Sequence, residues 1–538
     1  MKKIVTLSFV AAISTTMVFG STASDLRAMK AEIAKLKAEV TTLKKSGDAA
    51  QIKKLTKKIN AVKAHDAGDN IKWGVDLRTS IDNINYDMAD GSTKGKSDLM
   101  ATRLWLTMAY AANEHNIFKG MLSYNRAFGA DFGTTTSLMP RGFGMDTFDW
   151  VTNEALTGNT LKVRQAYWLY MGDSLFGADI PWTFSIGRRP STAGFLANFR
   201  EDDPAQSPLG HIINVEFDGL SSKVDLSNVT GIPGMSFKVC MGQGSTNAEP
   251  LFSTATPYAN DDNAVEDIKL AGFIFQPYSD GQFTVKTTAF KAFGLPGMAF
   301  DQTTGMPSDR FEAFGDIYGA GISVLIDGLT DDGYFSDAKL FGSFSWSKTD
   351  PDSGIDSFGQ PKAMIGSTNS ETGTSYWIGA QLPVTEKGKF GVEFNHGSQY
   401  WRPFTYGEDT MIGSKLAARG DAFEAYFTYQ LTDALSAQIR YTKIDYDYTG
   451  SNGFFGNYSG NSMKISDIKA GASGYNQLVA MAGTRDPAAL AGAMVAGGMA
   501  PDAATAGQMV KGMGMAAAMA PNIVEAAQDF RFYLRYRF

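Results

Sequence analysis

From Ile71 to Phe538 the chain alternates apolar and polar residues with a period of two, in segments of roughly ten to fifteen residues, longer than the five or six usual for soluble strands. In Ile71 to Asp82, Ile71, Trp73, Val75, Leu77 and Ile81 fall on one phase, with Lys72, Asp76, Arg78, Ser80 and Asp82 between them. Such a strand has one greasy and one wet face. The pattern returns in Leu104 to Tyr110, in Leu161, Val163, Tyr167, Leu169 and Met171, and in Trp182 to Arg189. It recurs in Ile213, Val215 and Phe217 against Asn214, Glu216 and Asp218, and then in Phe283 to Lys286, Phe390 to Asn395, Phe423 to Leu431 and Leu435 to Thr442. Weaker segments lie near 117–128, 232–242, 265–277, 314–328, 335–348, 373–384 and 409–417. Beyond the first twenty residues there is no uncharged, strongly apolar stretch long enough for a membrane helix. If this chain spans a membrane, it does so as a closed barrel.

The total, about sixteen or seventeen strands, predicts an all-β transmembrane antiparallel barrel of about 16–18 strands. Short connections such as Asp433-Ala434 and Lys387-Gly388 alternate with long ones such as 129–160, 243–263 and 349–372, as tight periplasmic turns alternate with external loops. A soluble sandwich is the competing fold. The length of 538 residues would otherwise suggest three or four domains, but one large barrel accommodates it. The 57 Gly, 36 Phe and 21 Tyr exclude disorder. Cys240 is the only cysteine, which excludes a disulfide framework, and the four scattered histidines provide no metal motif. The net charge of −7 gives no reason to expect nucleic acid as a partner.

Residues 1–23 read as a signal peptide: Met1-Lys2-Lys3, then Ile4 to Gly20 without charge, then small residues. Residues 24–66 read as a coiled coil, with Leu26, Met29, Ile33, Leu36, Val40 and Leu43 at a/d spacing and the pattern restarting at Ile52, Leu55, Ile59 and Val62. Each run is too short to be stable alone, so this periplasmic stalk is expected to depend on a homo-oligomer, a trimer by analogy with porin-sized barrels. Its balance of +6 between Asp25 and Asp66 contrasts with −15 from Ala67 onward and makes peptidoglycan a further candidate partner. Residues 67–538 form the expected barrel, with an Ala/Gly/Met-rich insertion at 471–527 where alternation disappears and short helices are expected at Asp486 to Val495 and Asn522 to Ala527.

Phe530, Phe532, Leu534, Tyr536 and Phe538 alternate with Arg531, Tyr533, Arg535 and Arg537, and the chain ends on an aromatic. This resembles the terminal strand of bacterial outer-membrane proteins, which implies recognition by the barrel-assembly machinery and contact with outer-membrane lipid and lipopolysaccharide. The stalk, the segment Ile186-Gly187-Arg188-Arg189-Pro190 and the run Tyr441 to Gly456 further resemble a porin-like family of unknown function from campylobacterial proteobacteria. That resemblance implies a secreted chain with a short coiled coil before a large barrel, and carries no activity.

No nucleophile elbow, zinc-protease motif or phosphate loop occurs, so no enzyme is expected and no cofactor is called for. Pore-lining candidates are the wet-phase residues Arg78, Arg103, Arg164, Arg189, Arg440, Arg531, Arg535 and Arg537, with the acids Asp76, Asp82, Glu216, Asp218, Glu393 and Glu424. Guanidinium rows favour anions, whereas pairing of the eight arginines with the six acids would instead brace the wall. The acidic groups Glu201-Asp202-Asp203, Asp261-Asp262 and Asp331-Asp332 read as solvated external loop charge, with Ca²⁺ as the alternative. The functional expectation is a porin-like channel passing small hydrophilic, preferentially anionic, solutes. Its rivals are a plugged structural or adhesive barrel and a barrel-embedded hydrolase.

Overall fold

The computed structural model describes residues 71–129, 156, 161–189, 192–214, 217–245, 267–301, 308, 312–330, 333–405, 411–451 and 461–538. The signal peptide, the stalk, Glu216 and the acidic pairs 261–262 and 331–332 lie outside the described residues.

Sixteen long strands close into one antiparallel barrel: β1 Lys72–Met88, β2 Thr93–Ala111, β3 Asn116–Ala127, β4 Lys162–Gly172, β5 Trp182–Arg189, β6 Phe217–Asp225, β7 Ser236–Ser245 and β8 Ile268–Ser279, then β9 Phe283–Gly297, β10 Glu312–Asp327, β11 Lys339–Pro351, β12 Thr372–Thr385, β13 Gly388–Gly397, β14 Gly420–Gln430, β15 Leu435–Tyr446 and β16 Val524–Arg537. Every strand pairs with its neighbours in sequence, and the ring is sealed by β1 against β16, from Asp76 opposite Arg537 to Met88 opposite Val524. Closure leaves no edge strand to seek another chain. At one end the connections are short turns such as 112–115, 280–282, 386–387 and 431–434, and at the other they include 128–161, 190–216, 398–419 and 447–523.

Alternation decides what each face meets. Leu77, Ile81, Ile186, Met241, Phe273, Phe344, Ile378, Phe423, Ile439 and Phe530 are exposed on the outside. Near the short-turn end, Trp168 lies 6.0 Å from Phe184 and Tyr170 lies 5.1 Å from Trp182 between ring centroids, the start of an aromatic girdle. An apolar surface of this extent is unfavourable in water; covering each large side chain with hydrocarbon stabilises by roughly 1.5–3 kcal/mol.

The structure corrects the sequence reading at five places. In β4 the phase flips after Val163, because β4 itself carries a bulge there: Met121 and Leu122 of β3 are consecutive, whereas their partners Gln165 and Val163 are two apart, which leaves Arg164 as the added residue; Trp168 and Tyr170 face outward, in place of Tyr167 and Leu169. Of the segment 409–417, the described residues 411–417 do not form a strand, and Lys415–Ala417 is a 3-10 turn inside the barrel. Ile213–Asn214 belong to a loop rather than to β6, so the phase read across 213–218 breaks there and Asp218 is exposed, pairing with Arg188 at 3.4 Å. Asn522 to Ala527 leads into β16 and is not a helix. The insertion contains helices longer than expected: α1 Ile465–Ala482, α2 Pro487–Ala496 and α3 Ala503–Met519. Asp486 and Asp502 cap α2 and α3 by accepting from the backbone N–H of Ala489 and Thr505, and Pro487 opens α2. Leu478, Leu490, Met494 and Val510 make a small core of their own, and Ile465, Ile468, Ala472 and Ala520 seat the bundle on Ala89 at the barrel rim.

Candidate functional site in the barrel lumen

The lumen is occupied by two of the long connections. The first runs through residues 192–214 and descends toward the short-turn end. Three of its non-glycine residues, Ala193, Leu196 and Asp202, hold positive φ (49°, 78° and 53°). Such conformations cost of order 1–3 kcal/mol each and persist only where packing dictates them. Here Phe195, Leu196, Leu209, Ile212 and Ile213 are buried against Phe290, Phe314, Phe341 and Trp377 of the wall. Gly194 permits the loop to close on itself, since a Cβ there would stand 2.6 Å from the carbonyl oxygen of Pro208. The second connection, 398–419, lies beside it: Phe404–Thr405 pairs in parallel with Ile213–Asn214. A Cβ on Gly373 of β12 would meet the backbone nitrogen of Trp401 at 2.2 Å, so glycine is needed for that approach.

The loop tip meets the arginines of the β15–β16–β1–β2 wall. Glu201 accepts from Arg440 at 2.9 Å, from Arg78 at 3.2 Å and from the Tyr533 hydroxyl at 3.0 Å, with Arg200 Nε at 3.3 Å. Burial alone would raise its pKa, but the guanidiniums of Arg78, Arg440 and Arg200 outweigh burial and hold it well below the usual carboxylate range. Asp203 receives Arg535 at 2.7 Å and Arg537 at 2.8 Å, and Asp202 receives Lys389 at 2.7 Å. Glu201 and Asp203 are therefore internal and ion-paired, and Asp202, though exposed, is paired with Lys389; the triplet is not external loop charge. Among the described residues no cluster of His, Cys, Asp or Glu is arranged to hold a metal.

The remaining sequence candidates divide accordingly. Arg531 pairs with Asp82, Arg535 also with Asp76, and Arg103 lies 3.6 Å from Asp76 with its guanidinium 3.5 Å from the Trp105 ring centroid. Arg164 donates to Thr192 at 2.8 Å and lies 4.5 Å from the same ring centroid. Glu393 and Glu424 both accept from Lys415 of the second loop, at 2.6 and 2.5 Å, and Arg200 lies 3.5 Å from Glu424. Arg164, Arg440, Arg531 and Arg535 are all no more than 3% exposed. These wet-phase charges face the interior but not open water; they brace the wall and clamp the loops.

Higher in the lumen His211 is fully buried between Trp377 and Trp401, with ring centroids 5.7 and 5.6 Å away. Its Nε2 lies 2.8 Å from the Ser375 hydroxyl and its Nδ1 lies 2.8 Å from Ser343. Because Ser375 donates to Asn395 at 3.0 Å, it accepts from His211, which assigns the neutral Nε2–H tautomer. Burial pushes the imidazole pKa down to about 3.

The opposite wall differs. On the inner faces of β5 to β9, Thr183, Lys223, Lys238, Gln276, Thr284 and Lys286 are only half-buried. Lys223 stands directly opposite Lys238 across the β6–β7 pair. Lys238 donates to Ser207 at 2.7 Å, and the Lys286 ammonium is 4.6 Å from the Phe195 ring centroid. A narrow cleft of about 50 Å³ there is lined by Arg189, Ser207, Ile213, Lys238, Cys240 and Thr288 among others. Cys240 thus shares the inward phase of β7 with Lys238. The sequence reading placed Lys286 on a wet phase but did not select these lysines, because nothing in a strand pattern distinguishes a neutralised cation from a free one.

Fold and lumen together define a sixteen-stranded closed barrel of the type found in bacterial outer-membrane proteins, with two loops folded inside. The chain belongs to the family described as "Protein of unknown function (DUF3373)", whose profile matches residues 93–485. Solved structures that it is similar to include in-vitro folded OmpT, an outer membrane protein of Vibrio cholerae, at 12% identity and TM-score 0.39, covering 87% of this chain and 97% of that one. Others are Salmonella typhi OmpF in complex with daunomycin, at 10% identity and TM-score 0.40 (88% and 99% covered), and the anion-selective porin from Comamonas acidovorans, at 10% and 0.41 (87% and 99%). A search of curated proteins found no match.

Proposed function

We propose that this protein is an outer-membrane channel for small hydrophilic solutes, narrowed by its two inward loops to a strip along the β5–β9 wall. The observation that carries the reading is the asymmetry of the lumen. One wall is sealed by ion pairs and apolar packing, while the other keeps Thr183, Lys223, Gln276, Thr284 and Lys286 partly accessible beside a cleft. The outward apolar belt and aromatic girdle support a bilayer location. Purified protein should add discrete conductance steps to planar lipid bilayers. A reconstituted protein that adds none sinks the channel reading even though the barrel stands.

A second reading, a closed structural barrel, is favoured by Trp401, Arg402, Phe404 and Leu416, all fully buried within the barrel. It expects no conductance until loop 398–419 is shortened. Catalysis is not part of the proposal. His211 touches serines, but the next group in its chain is the amide of Asn395, not a carboxylate, and the ring is sealed from solvent.

A further inference from the structure

Arg78, Arg103, Arg440, Arg531, Arg535 and Arg537 have acids beside them; three lysines do not. Lys389 pairs with Asp202, Lys339 with Asp327 and Lys415 with Glu393 and Glu424. Among the described residues Lys223, Lys238 and Lys286 have no carboxylate partner, and the loop segment over them, 204–208, carries no acid. Asp225, two residues along β6 from Lys223, is engaged by the turn: its Oδ1 accepts from both the backbone N–H and the hydroxyl of Ser227. Like charges directly opposite on neighbouring strands destabilise a sheet, so the Lys223–Lys238 pairing is unfavourable as it stands.

The register brings a further polar group to the same place. Lys238 lies opposite Ile274, and Ile274 opposite Thr288, so Thr288 is two strands from Lys238 at the same level, about 10 Å away at a strand spacing of about 4.8 Å. Lys286 follows two residues along on the same face of β9. The Thr288 side chain is 3% exposed, and its hydroxyl has no hydrogen-bond partner. Thr288, Lys238 and Ser207 all line the cleft described above. A buried hydroxyl without a partner is rare in a folded protein. Donors without acceptors, together with cations without anions, define a site complementary to an oxyanion, and flexible ammonium groups suit phosphate-type charge.

We infer that Lys223, Lys238 and Lys286, with Ser207 and Thr288, form a binding station for a small oxyanion of the phosphate or carboxylate class within the lumen. The inference rests on the channel reading for its role in transport, but binding itself does not require conduction. Two measurements keep the two apart. Equilibrium dialysis of inorganic phosphate against full-length protein in detergent should show saturable binding, weakened at least tenfold in Lys223→Gln/Lys238→Gln and retained in Lys223→Arg/Lys238→Arg. In bilayers, phosphate should reduce chloride current through the wild type but not through the Gln pair, whose reversal potential under a salt gradient should move toward cation preference. Absence of wild-type phosphate binding, or binding equally strong in the Gln pair, overturns the station. Binding without conductance overturns only the channel.

Discussion

Replacing Glu201 with Gln removes one negative charge from a site where Arg440 at 2.9 Å, Arg78 at 3.2 Å and Arg200 at 3.3 Å converge, at side chains 10% exposed or less for the acid and 13% or less for the cations. Breaking a buried ion pair from one side typically costs about 3–5 kcal/mol, because the abandoned charge stays desolvated. The barrel wall keeps its backbone ladder whatever the loop does, so most of that cost falls on the equilibrium between loop seated and loop released. At 1.4 kcal/mol per tenfold, a shift of this size raises the released fraction by roughly a hundred- to a thousandfold or more. Glu201→Gln should therefore give larger or noisier single-channel conductance. A cysteine replacing Phe195, which is 5% exposed in the seated loop, should also be labelled by a water-soluble maleimide far faster in this variant than in the wild-type background. Conductance and labelling both unchanged would refute the view that this carboxylate holds the loop in place.

Acidification should release the same loop through His211. Its pKa is near 6.5 when solvated and about 3 when seated, so protons bind the released state first. The seated state therefore loses ground as pH falls below about 6.5, by up to tenfold per unit, until about 3. Glu201, depressed below the usual range, contributes only at lower pH. Conductance recorded from pH 7.5 to 4.5 should rise in wild type and stay flat in His211→Gln; equal rises in both would exclude the histidine. Arg535→Ala should lower the thermal stability of the barrel in detergent by leaving Asp76 with Arg103 alone, at 3.6 Å, and Asp203 with Arg537 alone, while the reversal potential stays within a few millivolts of wild type; a large selectivity change would return that arginine to the ion path. Deleting Phe538, whose backbone N–H and carbonyl both bond to Val75, should reduce the yield of membrane-inserted barrel severalfold on a heat-modifiability gel. Removing residues 25–64 should lower the oligomeric mass measured in detergent if the stalk holds a trimer.

Alternation is a local property. The apolar phase of β16, from Phe530 to Phe538, or of β14, from Phe423 to Tyr429, can be read from one short segment without knowing what lies beside it. The residues between Ile71 and Phe538 thus determine a closed barrel, its greasy exterior and the strands that carry inward charge. Even so, one bulge within β4, at Arg164, reversed its phase, because an added residue changes the face of everything after it. The interior was beyond such reading. Glu201 meets Arg78, Arg440 and Tyr533 across separations of 123, 239 and 332 residues, and a loop without periodicity carries no mark of which way it folds. Only the tertiary structure decided that six of the eight arginines singled out by their phase stand beside acids, that Glu201 and Asp203 turn inward, and that Lys223, Lys238 and Lys286 lack a carboxylate partner among the described residues. Strand phase follows from neighbours along the chain, whereas the state of a lumenal charge follows from what the fold places across the barrel from it.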